Sequence, residues 1–232
     1  MRLAIMQPYL FPYIGYFQLV NAVDKFVAYD DVTFIKQGWI NRNNILLNGK
    51  AFMFTVPLVS ASSNTLIYDT RISEKSDWRS KFLKTVVQAY KKAPLFEPTY
   101  ALLESIINQQ TEYISALATH SLKKISTYLG IPTEIQDSSR EYGNNEFAAQ
   151  DRIIDICKRE KADHYVNPSG GKELYDTQVF REHGIQLNFI NTPKMQYTQF
   201  SGEFVPWLSI IDVLMFNNPE AAKELVDSYE LA

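Results

Sequence analysis

Three short stretches hold most of the side chains that could do chemistry. The first, QPYLFPYIGYF at 7–17, has no charge, two prolines and a high density of rings. Pro8 and Pro12 bar a regular element through it and stiffen it, and Gly15 lets the chain approach a ligand or turn into a helix. Phe11 and Phe17 are expected to pack, while Gln7, Tyr13 and Tyr16 present polar tips to a cleft. The second, YDDVTFIKQGWINRNNI at 29–45, offers Asp30 and Asp31 and then Trp39, Asn41, Arg42 and Asn43. A planar cation suits bidentate carboxylate or phosphate recognition, an indole suits a sugar face, and amides suit either ligand. Adjacent strand residues point to opposite faces, so the two aspartates are not expected to form one dyad. The third, NPSGGKELY at 167–175, combines Ser169, Gly170 and Gly171 with Lys172. Its backbone amides could turn toward an anion, though the spacing is not that of a Walker loop.

Each stretch has a plainer reading: an aromatic packing loop, a solvated edge strand and an ordinary strand-to-helix turn. The elements around them decide how they are placed. The chain opens as strand RLAIM, loop, helix YFQLVNAV and strand KFVAYDDV, a βαβ start that implies two adjacent parallel strands. NILL and KAFMFTV flank Asn48-Gly49, a tight-turn dipeptide, and predict an antiparallel hairpin. Trp78, Phe82, Val86 and Tyr90 recur at helical spacing; a second helix opens near Pro98 and a third stops at Gly130. Strands IPTEIQ, ADHYV and IQLNFI then alternate with helices FAAQDRIIDICKRE and ELYDTQVFREHG. Two more helices follow, around WLSIIDVLMF and PEAAKELVDSY, the last capped by Asn218. The expected fold is α/β: a Rossmann-like, mostly parallel sheet in three layers, with a helical insertion at about 75–130 and a β-hairpin, forming a single domain over 1–232. In such sheets, loops at the carboxyl ends of the strands hold ligands.

Composition narrows the functions. A net charge of −3 argues against general nucleic-acid binding, and 14 Tyr with 14 Phe suits sugar or nucleobase recognition. The lone cysteine, Cys157, fits a reducing cytoplasm, and its place on the apolar side of a helix suggests inert burial. No run approaches the ~18 apolar residues of a membrane span, and the N-terminus lacks a secretory signal. His120, His164 and His183 are scattered and neither CxxC nor HExxH occurs, so no metal site is expected. Tyr13-Ile14-Gly15-Tyr16 stands where nucleotidylyltransferases carry HxGH, with tyrosine at both histidine positions.

End to end, the chain resembles the WbqC-like family: MQPYLFPYIGYFQL, VAYDDV, GWINRN, the helix from Trp78 to Tyr90, YVNPSGGKELYD and FVPWLSIIDVLMFN carry the likeness. The resemblance implies bacterial O-antigen and other surface-polysaccharide biosynthesis, in a family proposed to include glycine transferases that modify a sugar. It supplies no catalytic residues. From the residues themselves, Arg42, Asp30 and Asp31 are the catalytic candidates. Gln7, Tyr13, Gly15, Tyr16, Trp39, Asn41, Asn43, Ser169, Gly170, Gly171 and Lys172 are the substrate-binding ones. The expected ligand is a small nucleotide or sugar, with ATP or a nucleotide-sugar as cofactor or donor, and aminoacyl-tRNA as the one nucleic acid in view. Two other functions stay open: a nucleotidyl-transferring or adenylate-forming enzyme, and a non-catalytic protein that binds nucleotide-sugars or glycans.

Overall fold

The computed structural model describes residues 1–60, 62, 64–200 and 202–232. The elements in chain order are β1 (Arg2–Met6), α1 (Ile14–Asn21), β2 (Lys25–Ala28), β3 (Arg42–Leu47), β4 (Lys50–Thr55), α2 (Trp78–Tyr90), α3 (Phe96–Ile107), α4 (Ile114–Tyr128), β5 (Glu134–Gln136), α5 (Ala149–Arg159), β6 (His164–Pro168), α6 (Thr177–Glu182), β7 (Gln186–Asn191), α7 (Ile210–Phe216), α8 (Pro219–Asp227) and β8 (Glu230–Leu231). The main sheet runs β5-β2-β1-β6-β7-β8, and β3 and β4 form a separate two-stranded sheet. β1 pairs in parallel with β2 on one side and β6 on the other, as the opening βαβ pattern requires. Of the described strands in that sheet, only the short β8 runs antiparallel, against β7.

Alternation along the strands builds three layers. Ala4, Phe26, Val166 and Ile190 face one side, where Phe17 and Leu19 of α1, Leu117 of α4, Leu214 of α7 and Val226 of α8 pack. Leu3, Ile5, Val27, Tyr165 and Leu187 face the other, under Ile153 and Cys157 of α5 and Phe180 of α6. Successive strand residues point to opposite faces, so one strand serves both cores. Each fully buried aliphatic or phenyl side chain contributes roughly 1.5–3 kcal/mol.

Local chemistry sets the element ends. Asn48 at φ 52° and Gly49 at φ 72° make the hairpin turn, a left-handed pair that this dipeptide adopts at low cost. Asp77 caps α2 by accepting from the Ser80 amide, and Asn218 caps α8 with Pro219 behind it. The helical insertion comprises α2, α3 and α4, and Trp78, Phe82, Val86 and Tyr90 form its buried stripe, as their spacing predicts. Among the described residues, no helix is long and apolar enough to cross a membrane.

The strand order carries a functional consequence. From β1 the chain moves to β2 through α1 on one face, whereas α5 and α6 lead into β6 and β7 on the other. Connections that leave neighbouring strands toward opposite faces open a crevice at the strands' carboxyl ends. Here that point lies between β1 and β6, flanked by the loops 7–13 and 169–176 and by the stretch 192–208 that follows β7.

Candidate functional site

The first loop is pinned before it can present anything. Phe11 is fully buried with φ at 47°, a strained value for a bulky residue. Two side chains hold its carbonyl: Asn43 Nδ2 donates from 3.0 Å and Ser209 Oγ from 2.7 Å. Backbone bonds complete the clamp, from the Leu10 amide to the Ile40 carbonyl and from the Ile210 amide to the Pro12 carbonyl. The hairpin and the start of α7 thus lock this loop on both sides.

Within it the rings divide differently from expectation. Phe11 and Phe17 are core, as expected. Tyr16, expected at the mouth of a cleft, is 3% exposed, and its hydroxyl donates to the Gln7 carbonyl at 2.6 Å. It closes the loop onto itself, because a buried hydroxyl must find an acceptor and the nearest is backbone. Gly15 does not admit a ligand: a Cβ there would lie 2.4 Å from the Tyr13 ring. The vacant space receives that ring, which lies across the start of α1. Tyr13 is half-buried beside the Thr192 side chain, and burial raises its hydroxyl pKa. Gln7 is also half-buried.

Tyr13 forms one wall of a cavity of about 320 Å³. Opposite stand Met195, Tyr197, Phe204 and Trp207 of the stretch after β7, with Lys194 and Gln196 as its longer polar side chains. Trp207 is 65% exposed, and its ring centroid sits 6.0 Å from that of Tyr13 at an interplanar angle of 59°. Behind the cavity, Tyr197 Oη donates at 2.7 Å to Asp212 Oδ2, which also accepts from Gln199 Nε2 at 2.7 Å. Tyr90 Oη donates to Asp212 Oδ1 at 2.8 Å. Asp212 has no solvent exposure and these donors are neutral, so burial raises its pKa.

A second polar group lies at the same edge of the sheet, beyond β2. Asp31 pairs with Arg152 of α5, and their side chains are 1% and 6% exposed. Ser139 donates to Asp31, while Arg152 donates to Asn144 Oδ1 at 3.0 Å and to Asn145 Oδ1 at 2.7 Å. Asp30 takes other partners, accepting from Ser138 Oγ at 2.6 Å, and burial raises its pKa. The two carboxylates therefore form no dyad. The carboxylates and the guanidinium are buried and paired with one another or with neighbouring side chains, and Asn145 lies at the exposed rim.

The remaining expected residues fall outside the cavity. Arg42, Asn41 and Asn43, expected to line a cleft with Gln7 and Tyr13, belong to the separate hairpin. Arg42 Nε donates to the Gly38 carbonyl at 2.9 Å and its Nη2 to that of Gln37, so one edge of the fork is held by its own loop. Asn41 Nδ2 donates to the Val56 carbonyl at 2.8 Å. Trp39 is 44% exposed and lies apart from the cavity lining. Ser169–Leu174 forms a 3-10 turn ahead of α6, more tightly wound than the expected helix start. A Cβ added at Gly171 would lie 2.2 Å from Asn167 Oδ1, so a larger residue there would have to move that amide, while Gly170 faces open space. Lys172 Nζ lies 5.6 Å from the centre of the Phe189 ring.

Sequence reasoning missed Trp207, Tyr197, Asp212 and Arg152. Trp207 and Asp212 sit in WLSIIDVLMF, whose apolar run reads as a core helix, yet a lone carboxylate inside such a run is itself a signal. Arg152 lies on an amphipathic helix, where an arginine ordinarily marks the solvated face.

The architecture defines a Rossmann-like α/β protein with an aromatic-walled cavity at the carboxyl edge of its sheet. The chain belongs to the WbqC-like protein family, whose model matches residues 7–224. It is 30% identical over 224 residues to the uncharacterized protein Rv1507c of Mycobacterium tuberculosis (strain ATCC 25618 / H37Rv), covering 95% of each chain. No solved structure matches it.

Proposed function

We propose that this chain is a cytoplasmic transferase of surface-polysaccharide biosynthesis that passes an aminoacyl group, glycine as the sequence resemblance implies, to a nucleotide-linked amino sugar. The observation that carries the reading is the cavity at the carboxyl edge of the sheet, with rings on several walls and Lys194 among its lining residues. Ligand pockets in open α/β sheets concentrate at this edge. In the transfer, the sugar amine attacks the carbonyl of an activated glycine. A C–N bond forms, the C–O bond to AMP or to the tRNA ribose breaks, and the amine proton leaves with the departing oxygen or to water. Holding the amine and the activated carbonyl together supplies much of the rate, since the nucleophile belongs to the substrate.

One observation favours a second reading, a non-catalytic carrier of nucleotide-sugars. Asp30, Asp31 and Asp212 are all closed to solvent, so none of them is free to take a substrate proton directly. The nucleotidyl-transfer reading is weakened by Gly15, whose open side is filled by Tyr13.

Thermal shifts with ATP, UDP-sugars, dTDP-sugars and glycine test the binding half. A ligand at 100 times its dissociation constant adds ~2.7 kcal/mol. Mass spectrometry of a UDP-linked amino sugar, incubated with glycine and ATP or with glycyl-tRNA, tests the transfer. A glycylated product supports the transferase, binding without product supports the carrier, and no shift with any nucleotide-sugar overturns both.

A further inference from the structure

Trp207 combines two features that packing does not explain. Its φ of 61° lies in the left-handed region, which a bulky L-residue rarely adopts. Its ring is 65% exposed, so little burial offsets that cost. Strain kept at an exposed aromatic is a reason to look for a ligand. The ring meets Tyr13 at 59°, making an open corner rather than a closed stack, and Tyr13 lies against the side-chain-free face of Gly15.

The chemistry of the walls selects what fits the corner. Rings and apolar groups make most of them, Thr192, Lys194 and Gln196 are the other polar side chains, and among the described residues no carboxylate side chain lines the cavity. The Tyr197 hydroxyl is already given to Asp212. A hexose carries hydroxyls all round its ring, and those set against the rings and apolar groups would go without partners, at a cost for each. A nucleobase instead offers two flat faces for stacking. A cavity of about 320 Å³ is at the small end of ligand pockets, closer to a nucleoside than to a whole nucleotide-sugar. Lys194 supplies a cation for the phosphate that follows.

We propose that the cavity seats the nucleobase end of the substrate, stacked on Trp207 and Tyr13 with its phosphate toward Lys194, so that the sugar lies outside it. This rests on the reading of the chain as one that acts on a nucleotide-linked sugar.

The test is calorimetric titration with UMP, dTMP, AMP, glucosamine 1-phosphate and a UDP-linked amino sugar. At least one mononucleotide should bind, with glucosamine 1-phosphate much weaker. Trp207→Ala should weaken that mononucleotide and its sugar conjugate by about tenfold or more, the scale of one lost base–aromatic stack. Trp207→Gly should lose the same affinity while its melting temperature holds or rises, because glycine relieves the left-handed strain. A merely structural tryptophan would do the reverse. Phe147→Ala, at an exposed ring outside the cavity, should leave binding unchanged. If the UDP-sugar binds equally well to Trp207→Ala, or glucosamine 1-phosphate binds as tightly as the mononucleotides, the base assignment is overturned and the broader reading stands. If no nucleotide or nucleotide-sugar binds the wild type, both fall.

Discussion

The cluster around Asp31 and the cavity beside Tyr13 lie at the same edge of one sheet and use polar groups in opposite ways. At the end of β2, Asp31, Arg152, Ser139 and Asn144 satisfy one another in the interior. At the end of β7, rings line an open cavity, and the carboxylate of Asp212 is set behind Tyr197. Residue type alone would name the first region as the site, since it holds the acids and the arginine. Their saturation says otherwise: a group whose partners are all internal holds structure, and recognition falls to surfaces left uncovered.

The sharpest way to break this contrast is to remove one partner of the buried pair. Arg152→Ala or Asp31→Ala should cost about 3–5 kcal/mol in urea unfolding, because either leaves an uncompensated charge in the interior. A loss within the ~0–1 kcal/mol of a surface pair would show that the cluster is wetter than its burial suggests.

Asp212 supplies a pH test. Its folded pKa is raised above the ordinary value of 3.8, so the native state binds the proton more readily than the unfolded chain. The sign follows: its contribution is fully present below 3.8 and is lost as pH rises through the folded value. Asp212→Asn should therefore gain stability relative to wild type as pH increases over that window, by ~1.4 kcal/mol for every tenfold difference in proton affinity between the folded and unfolded chains. Parallel stability profiles for the two proteins would contradict it.

Two tyrosines sharpen the division of the first loop. Tyr16→Phe should cost about 1–2 kcal/mol by stranding the Gln7 carbonyl, whereas Tyr13→Phe should change stability by less than about 0.5 kcal/mol. Equal losses in thermal unfolding would erase the distinction. Gly15→Ala should have the smallest effect on stability, since alanine favours the helix by up to ~1 kcal/mol while its Cβ displaces the flexible end of Tyr13. Nucleotide affinity should fall in that variant, and unchanged affinity would remove Tyr13 from the site.

Much of the frame was legible in the sequence. The parallel β1–β2 pair, the Asn48-Gly49 hairpin, the α2 stripe and the Asn218 cap all follow from local periodicity and turn chemistry. The candidate site was legible only in part. Tyr13 and Gln7 fall at the carboxyl edge, as the strand–loop–helix order implies. Asn43 looked like a ligand contact because its amide is polar, but its partner is the Phe11 carbonyl, far away along the chain. Arg42 suits a bidentate ligand contact by residue type, and its acceptors are two carbonyls of a local turn that side-chain patterning does not reveal. Trp207 was hidden because exposure and a left-handed φ are tertiary properties, and its neighbours look like core.

The most direct measurement is a crystal structure of the protein with a UDP-linked amino sugar. The account predicts the base against Trp207 and Tyr13, the phosphates near Lys194, and the Asp31–Arg152 cluster intact and unliganded. A ligand seated on Trp39 and Arg42 or on the turn 169–172, with the cavity beside Tyr13 empty, would contradict it.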